Sequence, residues 1–159
     1  MKITKTQISS ETLKRACDFI AKFEGCKLDA YQDSAKVWTI GYGHTKEVQK
    51  GMSITQEQAE SFLASDSSFF YKNVCEIVGG ICNENQIIAL TSFAFNVGVD
   101  NLRRSTLLKF VKQNPRNFPA IRKEFMRWVY ADGKILNGLK TRRSAEADLF
   151  EKISTGAGS

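Results

Sequence analysis

Apolar residues recur along the chain with two periods, and the change of period marks its organisation. Leu13, Ala16, Cys17, Ile20 and Phe23 follow the spacing of one buried helical stripe, which predicts a helix over residues 11–24. Ser9 or Ser10 is placed to cap it and Glu11 suits the positive end of its dipole. Gly25 follows where a helix C-terminus favours a left-handed residue. The segment Val37-Trp38-Thr39-Ile40, with Gly41, Gly43 and Gly51 beyond it, predicts a small antiparallel sheet over about residues 27–54. Helical periodicity resumes over about 56–79, opened by Thr55 with Gln58, a capping box. Its stripe runs Ala59, Phe62, Leu63, Asp66, Phe69, Phe70 and Val74, which puts Asp66 on the buried side. Asn83 with Gln86 starts the next helix, and Ile87 to Val97 is apolar almost all round, as in a central buried helix. Ser105, Asn117 with Pro119, and Thr141 mark further helix starts in an all-helical remainder. The fold class is α+β and mostly helical. One domain spans residues 1–159, with a sheet-bearing lobe and linking helix over about 11–80, a helical lobe over 81–154 and a short flexible tail.

Two carboxylates change the picture. Glu24 continues the apolar stripe at the negative end of the first helix, where desolvation and the dipole both favour a protonated acid. Asp33 lies in the polar turn Gln32-Asp33-Ser34, which suits an ionised carboxylate. An acid and a base held apart in this way suit work on a sugar linkage. The same positions also fit a frayed helix end with a solvated glutamate and an ordinary turn-capping aspartate.

The window from Glu24 to Thr45 reads E-G-x-x-L-x-A-Y-x-D, five further residues, then T-I-G-Y-G-H-T. It resembles the catalytic signature of the phage-type lysozymes, the endolysin muramidases that include the T-even phage enzyme. The resemblance continues through Phe95-Asn96-Val97-Gly98, Ser105-Thr106-Leu107, Trp128, Gly138-Leu139, and Arg142-Arg143 with Glu146, and covers about residues 11–150. It implies a lysozyme-like fold and hydrolysis of the β-1,4 bond between N-acetylmuramic acid and N-acetylglucosamine. In those roles Glu24 donates a proton to the departing oxygen, Asp33 guides a water and Thr39 helps hold it. Phe95 and Thr106 would contact substrate, although each also reads as an ordinary core or cap residue. The family pairs its histidine with an acid on the long helix, which implies a structural ion pair between His44 and Asp66. Related endolysins form an anhydro product by internal transfer, and a hydrolytic, inverting site needs carboxyls about 6.5–9.5 Å apart to admit water.

Charge and cysteines refine this reading. The chain carries 23 basic and 17 acidic residues, a net charge of +6. Arg103, Arg104, Lys134, Lys140, Arg142 and Arg143 gather in its second half, and a basic surface steers toward polyanions. Peptidoglycan, with its peptide carboxylates, fits that sign. Nucleic acid would fit it too, but no nucleic-acid motif is present and none is expected as a partner. Arg142-Arg143 near Glu146 also reads as a helix-surface ion pair of little consequence. Cys17, Cys26, Cys75 and Cys82 lack zinc-ligand spacing. Cys17 reads as a small hydrophobe, and a Cys75–Cys82 bridge would require export. Carboxylate-driven glycoside hydrolysis needs no metal or cofactor, so none is expected. No stretch is apolar enough to span a membrane, and Met1 to Ser10 is polar. A monomer without membrane insertion is expected. It would be held in the host cytoplasm until a holin-type opening admits it to the cell wall and periplasm. The alternatives are an anhydro-forming transglycosylase, an antibacterial toxin of this fold, or a silent wall-binding module, which would require loss of Glu24 or Asp33.

Overall fold

The computed structural model describes residues 8–153. The expected short flexible tail and the polar leader up to residue 7 lie outside the described residues. The chain forms two compact units that divide within one helix: the first covers Ser9–Phe69 and the second runs from Phe70 onward.

In the first unit, α1 (Ser10–Ala21) is capped by Ser9, whose hydroxyl accepts from the Thr12 amide at 3.1 Å. It buries Thr12, Ala16 and Ile20. The helix closes at Ala21 rather than at residue 24, because the Phe23 amide turns back to the Ile20 carbonyl at 3.0 Å and tightens the last turn. Gly25 is therefore not needed as a left-handed cap, and it is absent from the residues with positive φ. Strands β1 (Lys27–Gln32) and β2 (Trp38–Gly41) pair antiparallel, with Tyr31 opposite Thr39 and Gln32 opposite Trp38. Ala30 and Ile54 extend the sheet through amide bonds to Met52 and Leu28 carbonyls, both at 2.9 Å. Gly41, at φ 63°, ends β2 with an added Cβ only 3.4 Å from the Ala59 Cβ, so the strand reaches the helix closely. That helix, α2 (Gln56–Val78), starts at the expected capping box. The Gln58 amide donates to Thr55 Oγ1 at 3.1 Å, and the Thr55 amide donates to Gln58 Oε1 at 2.9 Å.

The second unit is built around α3 (Glu84–Val97), which buries Gln86 and every residue from Ile88 to Ala94. Its capping box joins Asn83 and Gln86. Around it run α4 (Val99–Arg104), α5 (Thr106–Gln113), α6 (Phe118–Phe125) and α7 (Asn137–Glu151). Val74, Leu90, Phe93, Leu102, Phe125 and Phe150 share one core. Ser105 caps α5, accepting from the Leu108 amide at 3.0 Å.

Three further expectations are corrected. The remainder is not all helical: β3 (Tyr130–Ala131) and β4 (Lys134–Ile135) form a hairpin whose turn residues Asp132 and Gly133 both have positive φ. That is the preferred Asp-Gly turn, and the dipeptide was the missed signal. Thr141 does not start a helix; it lies inside α7, with its hydroxyl donating to the Asn137 carbonyl at 3.0 Å. Phe69 leaves the expected α2 stripe and is 59% exposed.

Candidate active site

The three residues assigned to chemistry lie in the first unit. Asp33 opens the loop between β1 and β2 and organises it. Its Oδ1 accepts from the Ala35 amide at 2.8 Å and the Val37 amide at 2.9 Å. Its own amide donates to the Val37 carbonyl at 3.0 Å, and its carbonyl accepts from Lys36 at 2.9 Å. Such closure is what a short carboxylate side chain offers a turn, and it places Lys36 in the left-handed region at φ 65°. Asp33 Oδ2 accepts no hydrogen bond among the described residues.

Thr39 stands on β2, 4% exposed, and its hydroxyl donates to the Val37 carbonyl at 2.9 Å. One carbonyl thus receives both the Asp33 amide and the Thr39 hydroxyl. With its proton committed, Thr39 Oγ1 faces any further partner as an acceptor.

Glu24 lies beyond the end of α1, half-buried, with its amide on the Ile20 carbonyl at 3.1 Å. It is therefore a residue of the exit bend and not a member of the helical stripe. Tyr31, which sequence reasoning quoted in the motif without a role, sits in the field of both acids. Burial raises its phenol pKa first, and the charges of Glu24 and Asp33 raise it further.

His44 is buried and donates through Nδ1 to Asp66 Oδ2 at 2.7 Å. Its ring stacks on Phe62 with centroids 4.2 Å apart and planes 8° from parallel. Asp66 is less buried than its stripe position implied, with 26% of its side chain exposed.

The remaining residues belong to the second unit. Phe95 is half-buried near the end of α3, its ring 5.3 Å from that of Phe70. Thr106 is the exposed first residue of α5, and the cap beside it is Ser105. Arg142, Arg143 and Glu146 are not a surface group: they are 3%, 0% and 0% exposed. Ser92 Oγ donates to Glu146 Oε2 at 2.6 Å, Arg143 pairs with Glu146 Oε1 and with Asn96 Oδ1, and Arg143 Nε donates to the Trp128 carbonyl at 3.0 Å. Arg142 and Arg143 therefore do not contribute to the basic surface. Burial pushes the Glu146 carboxyl up against the opposing pull of Arg143, Arg142 and Ser92.

All four cysteines are free thiols, so Cys75 and Cys82 are not bridged here. Burial holds Cys17 and Cys75 above the ordinary thiol range and pushes Cys82 up to about 11. Among the described residues no group of His, Cys, Asp and Glu is arranged to hold a metal ion, and no helix is long and apolar enough to cross a membrane.

Comparison with known proteins places this geometry in a class. The model of the phage lysozyme family matches residues 21–146. An endolysin of Acyrthosiphon pisum secondary endosymbiont phage 1 is 42% identical over 136 residues, covering 83% of this chain and 92% of that protein. The endolysin of Bacillus phage B103 is 38% identical over 136 residues, 84% of this chain; the chain spans only 51% of that longer protein. Among solved structures, the muramidase domain of SpmX from Asticaccaulis excentricus superposes with a TM-score of 0.79 at 29% identity, covering 92% of this chain and 99% of that one. The chain belongs to the phage lysozyme family. Its fold is the α+β lysozyme fold, and by family it is an endolysin-type glycosidase.

Proposed function

We propose that this chain hydrolyses the β-1,4 bond between N-acetylmuramic acid and N-acetylglucosamine in bacterial peptidoglycan, for lysis of the host cell. Glu24 is the general acid and protonates the departing glycosidic oxygen. Asp33 is the base and Thr39 its partner in holding the attacking water. The observation that carries this reading is the shared Val37 carbonyl, which fixes Asp33 and Thr39 together. Thr39 Oγ1 and Asp33 Oδ2 are both acceptors, so a water between them directs both protons to the protein. Its lone pair then points away, toward the anomeric carbon. As the new C–O bond forms, the Asp33 side takes the proton and the glycosidic bond breaks toward the oxygen that Glu24 protonates. A site built to orient water supports hydrolysis over anhydro-forming transfer, which uses the sugar's own hydroxyl. Phe95 and Thr106 contribute substrate contacts, and the chain works as one lysozyme-like domain.

The net charge of +6 favours an anionic wall. The chain acts as a monomer, without nucleic acid and without inserting into the membrane, and reaches the wall from the host cytoplasm through a membrane opening that another protein supplies. The test is mass spectrometry of fragments released from purified peptidoglycan by the wild-type chain and by Glu24→Gln. Reducing-end muropeptides from the wild type alone are expected. Anhydro-ended fragments would replace hydrolysis by internal transfer, and no release by folded wild type would remove the enzymatic reading.

A further inference from the structure

Tyr31 belongs to the signature segment, and the acid, base and water assignments leave it without a task. Its placement is specific. It pairs directly with Thr39 across the β1–β2 ladder. Directly opposed residues of an antiparallel pair send their side chains to the same face, with Cβ atoms about 4.5–5.5 Å apart. The Tyr31 ring therefore shares a sheet face with Thr39, the threonine proposed to hold the water. The ring is also braced: Lys27 Nζ lies 4.4 Å from its centroid, a cation–π contact on the same strand. The strand pairing is irregular between Lys27 and Tyr31. Tyr31 is half-buried, while Thr39 beside it is 4% exposed.

We propose that Tyr31 is a positioning residue whose ring, set by its pairing with Thr39 and braced by Lys27, walls the water site that Thr39 and Asp33 define. The inference rests on the reading of Asp33 and Thr39 as the water-holding pair. The electrostatic surroundings agree with it: Glu24 and Asp33 both act on the phenol, so the ring is close to both sides of the reaction. Burial and these charges keep the phenol neutral, so the ring adds bulk and shape to the site without competing for its proton. Removing the ring lets the water wander, which lowers turnover with little effect on saccharide binding.

The full chain is tested as Tyr31→Phe and Tyr31→Ala beside Glu24→Gln and Asp33→Asn, with kcat and KM measured on soluble peptidoglycan strands. Misplacing the nucleophile predicts a fall in kcat of about 100-fold for Tyr31→Ala, with KM within about threefold of wild type. Tyr31→Phe, which keeps the ring, should stay within about threefold in kcat. A folded Tyr31→Ala with wild-type kcat overturns the inference. So does a loss confined to KM, which would make the ring a sugar contact, and so does an equal loss in Tyr31→Phe, which would leave the ring without a role. If Tyr31→Ala does not fold, Tyr31→Leu takes its place under the same criteria. Retained activity in Glu24→Gln and Asp33→Asn would instead defeat the underlying assignment of acid and base.

Discussion

Asp33 and Val37 hold each other from both ends. The Val37 amide donates to the Asp33 carboxylate at 2.9 Å, and the Asp33 amide donates to the Val37 carbonyl at 3.0 Å. The loop between the two strands is closed by the residue proposed as the base, and Val37 passes that order on to Thr39.

This double bond between loop and carboxylate separates stability from activity. Asn keeps one carbonyl oxygen for the Ala35 and Val37 amides, so Asp33→Asn should retain the loop and unfold in urea within about 1 kcal/mol of wild type. It cannot take a proton from water, and a lost general base predicts a fall in kcat of about 10²–10⁴-fold. Thr39→Val should cost about 1 kcal/mol through the hydrogen bond to Val37 and lower kcat, whereas Thr39→Ser should recover most of both. Equilibrium unfolding and steady-state rates on the same preparations check both statements.

The His44–Asp66 pair should act on stability more than on turnover. The carboxylate accepts from a buried imidazole that is also stacked on Phe62. Loss of a charged hydrogen bond of this kind predicts about 1.5–3 kcal/mol for Asp66→Asn. Denaturant midpoints against kcat at a temperature where both proteins are folded make the comparison. A stable but inactive Asp66→Asn would assign the pair to catalysis instead.

The buried group on α7 should respond non-additively. Removing one partner from a buried ion pair leaves an uncompensated charge and costs about 3–5 kcal/mol, whereas replacing both with apolar residues costs far less. Because Arg142 also faces Glu146, at 3.4 Å, Glu146→Leu strands two buried cations and should cost more than Arg143→Met, and the double variant should lose less than the sum of the two. Thermal unfolding of the three variants forms the cycle. Additive losses would show that the two side chains are held independently.

Alkaline pH should expose the burial of Cys82. Its thiol is pushed from an ordinary value of 9.0 up to about 11 by desolvation first and by Cys75 second. The folded chain therefore keeps a proton that the unfolded chain loses. The stabilisation from this group is complete below pH 9.0 and is lost as pH rises toward about 11. Melting temperatures over that interval should fall less steeply for Cys82→Ala than for wild type. Cys82 should also react slowly with disulfide reagents at neutral pH, because little thiolate is present.

What the sequence determined by itself is local. Ser9, the Thr55–Gln58 box and the Asn83–Gln86 box were legible because a cap and its partner lie within one helical turn. The sheet, the long helix and the apolar α3 were legible for a similar reason, since periodicity is a property of neighbours. The Glu24 to Thr45 signature was legible because its parts sit on one bend, one hairpin and one loop. The end of α1 was misread because Gly25 offers a left-handed cap that the tightened turn at Ile20 makes unnecessary. Tertiary structure alone decided the rest. Arg142, Arg143 and Glu146 carry the spacing of a surface ion pair, and only the presence of Ser92 on α3 opposite α7 makes them a buried network. Phe69 carries the spacing of a core residue and is nevertheless 59% exposed. The pairing of Tyr31 with Thr39 was likewise undetermined, because β1 is irregular and register depends on which side chains the assembled sheet must bury. Burial is a relation between segments distant in sequence, and spacing along one segment does not contain it.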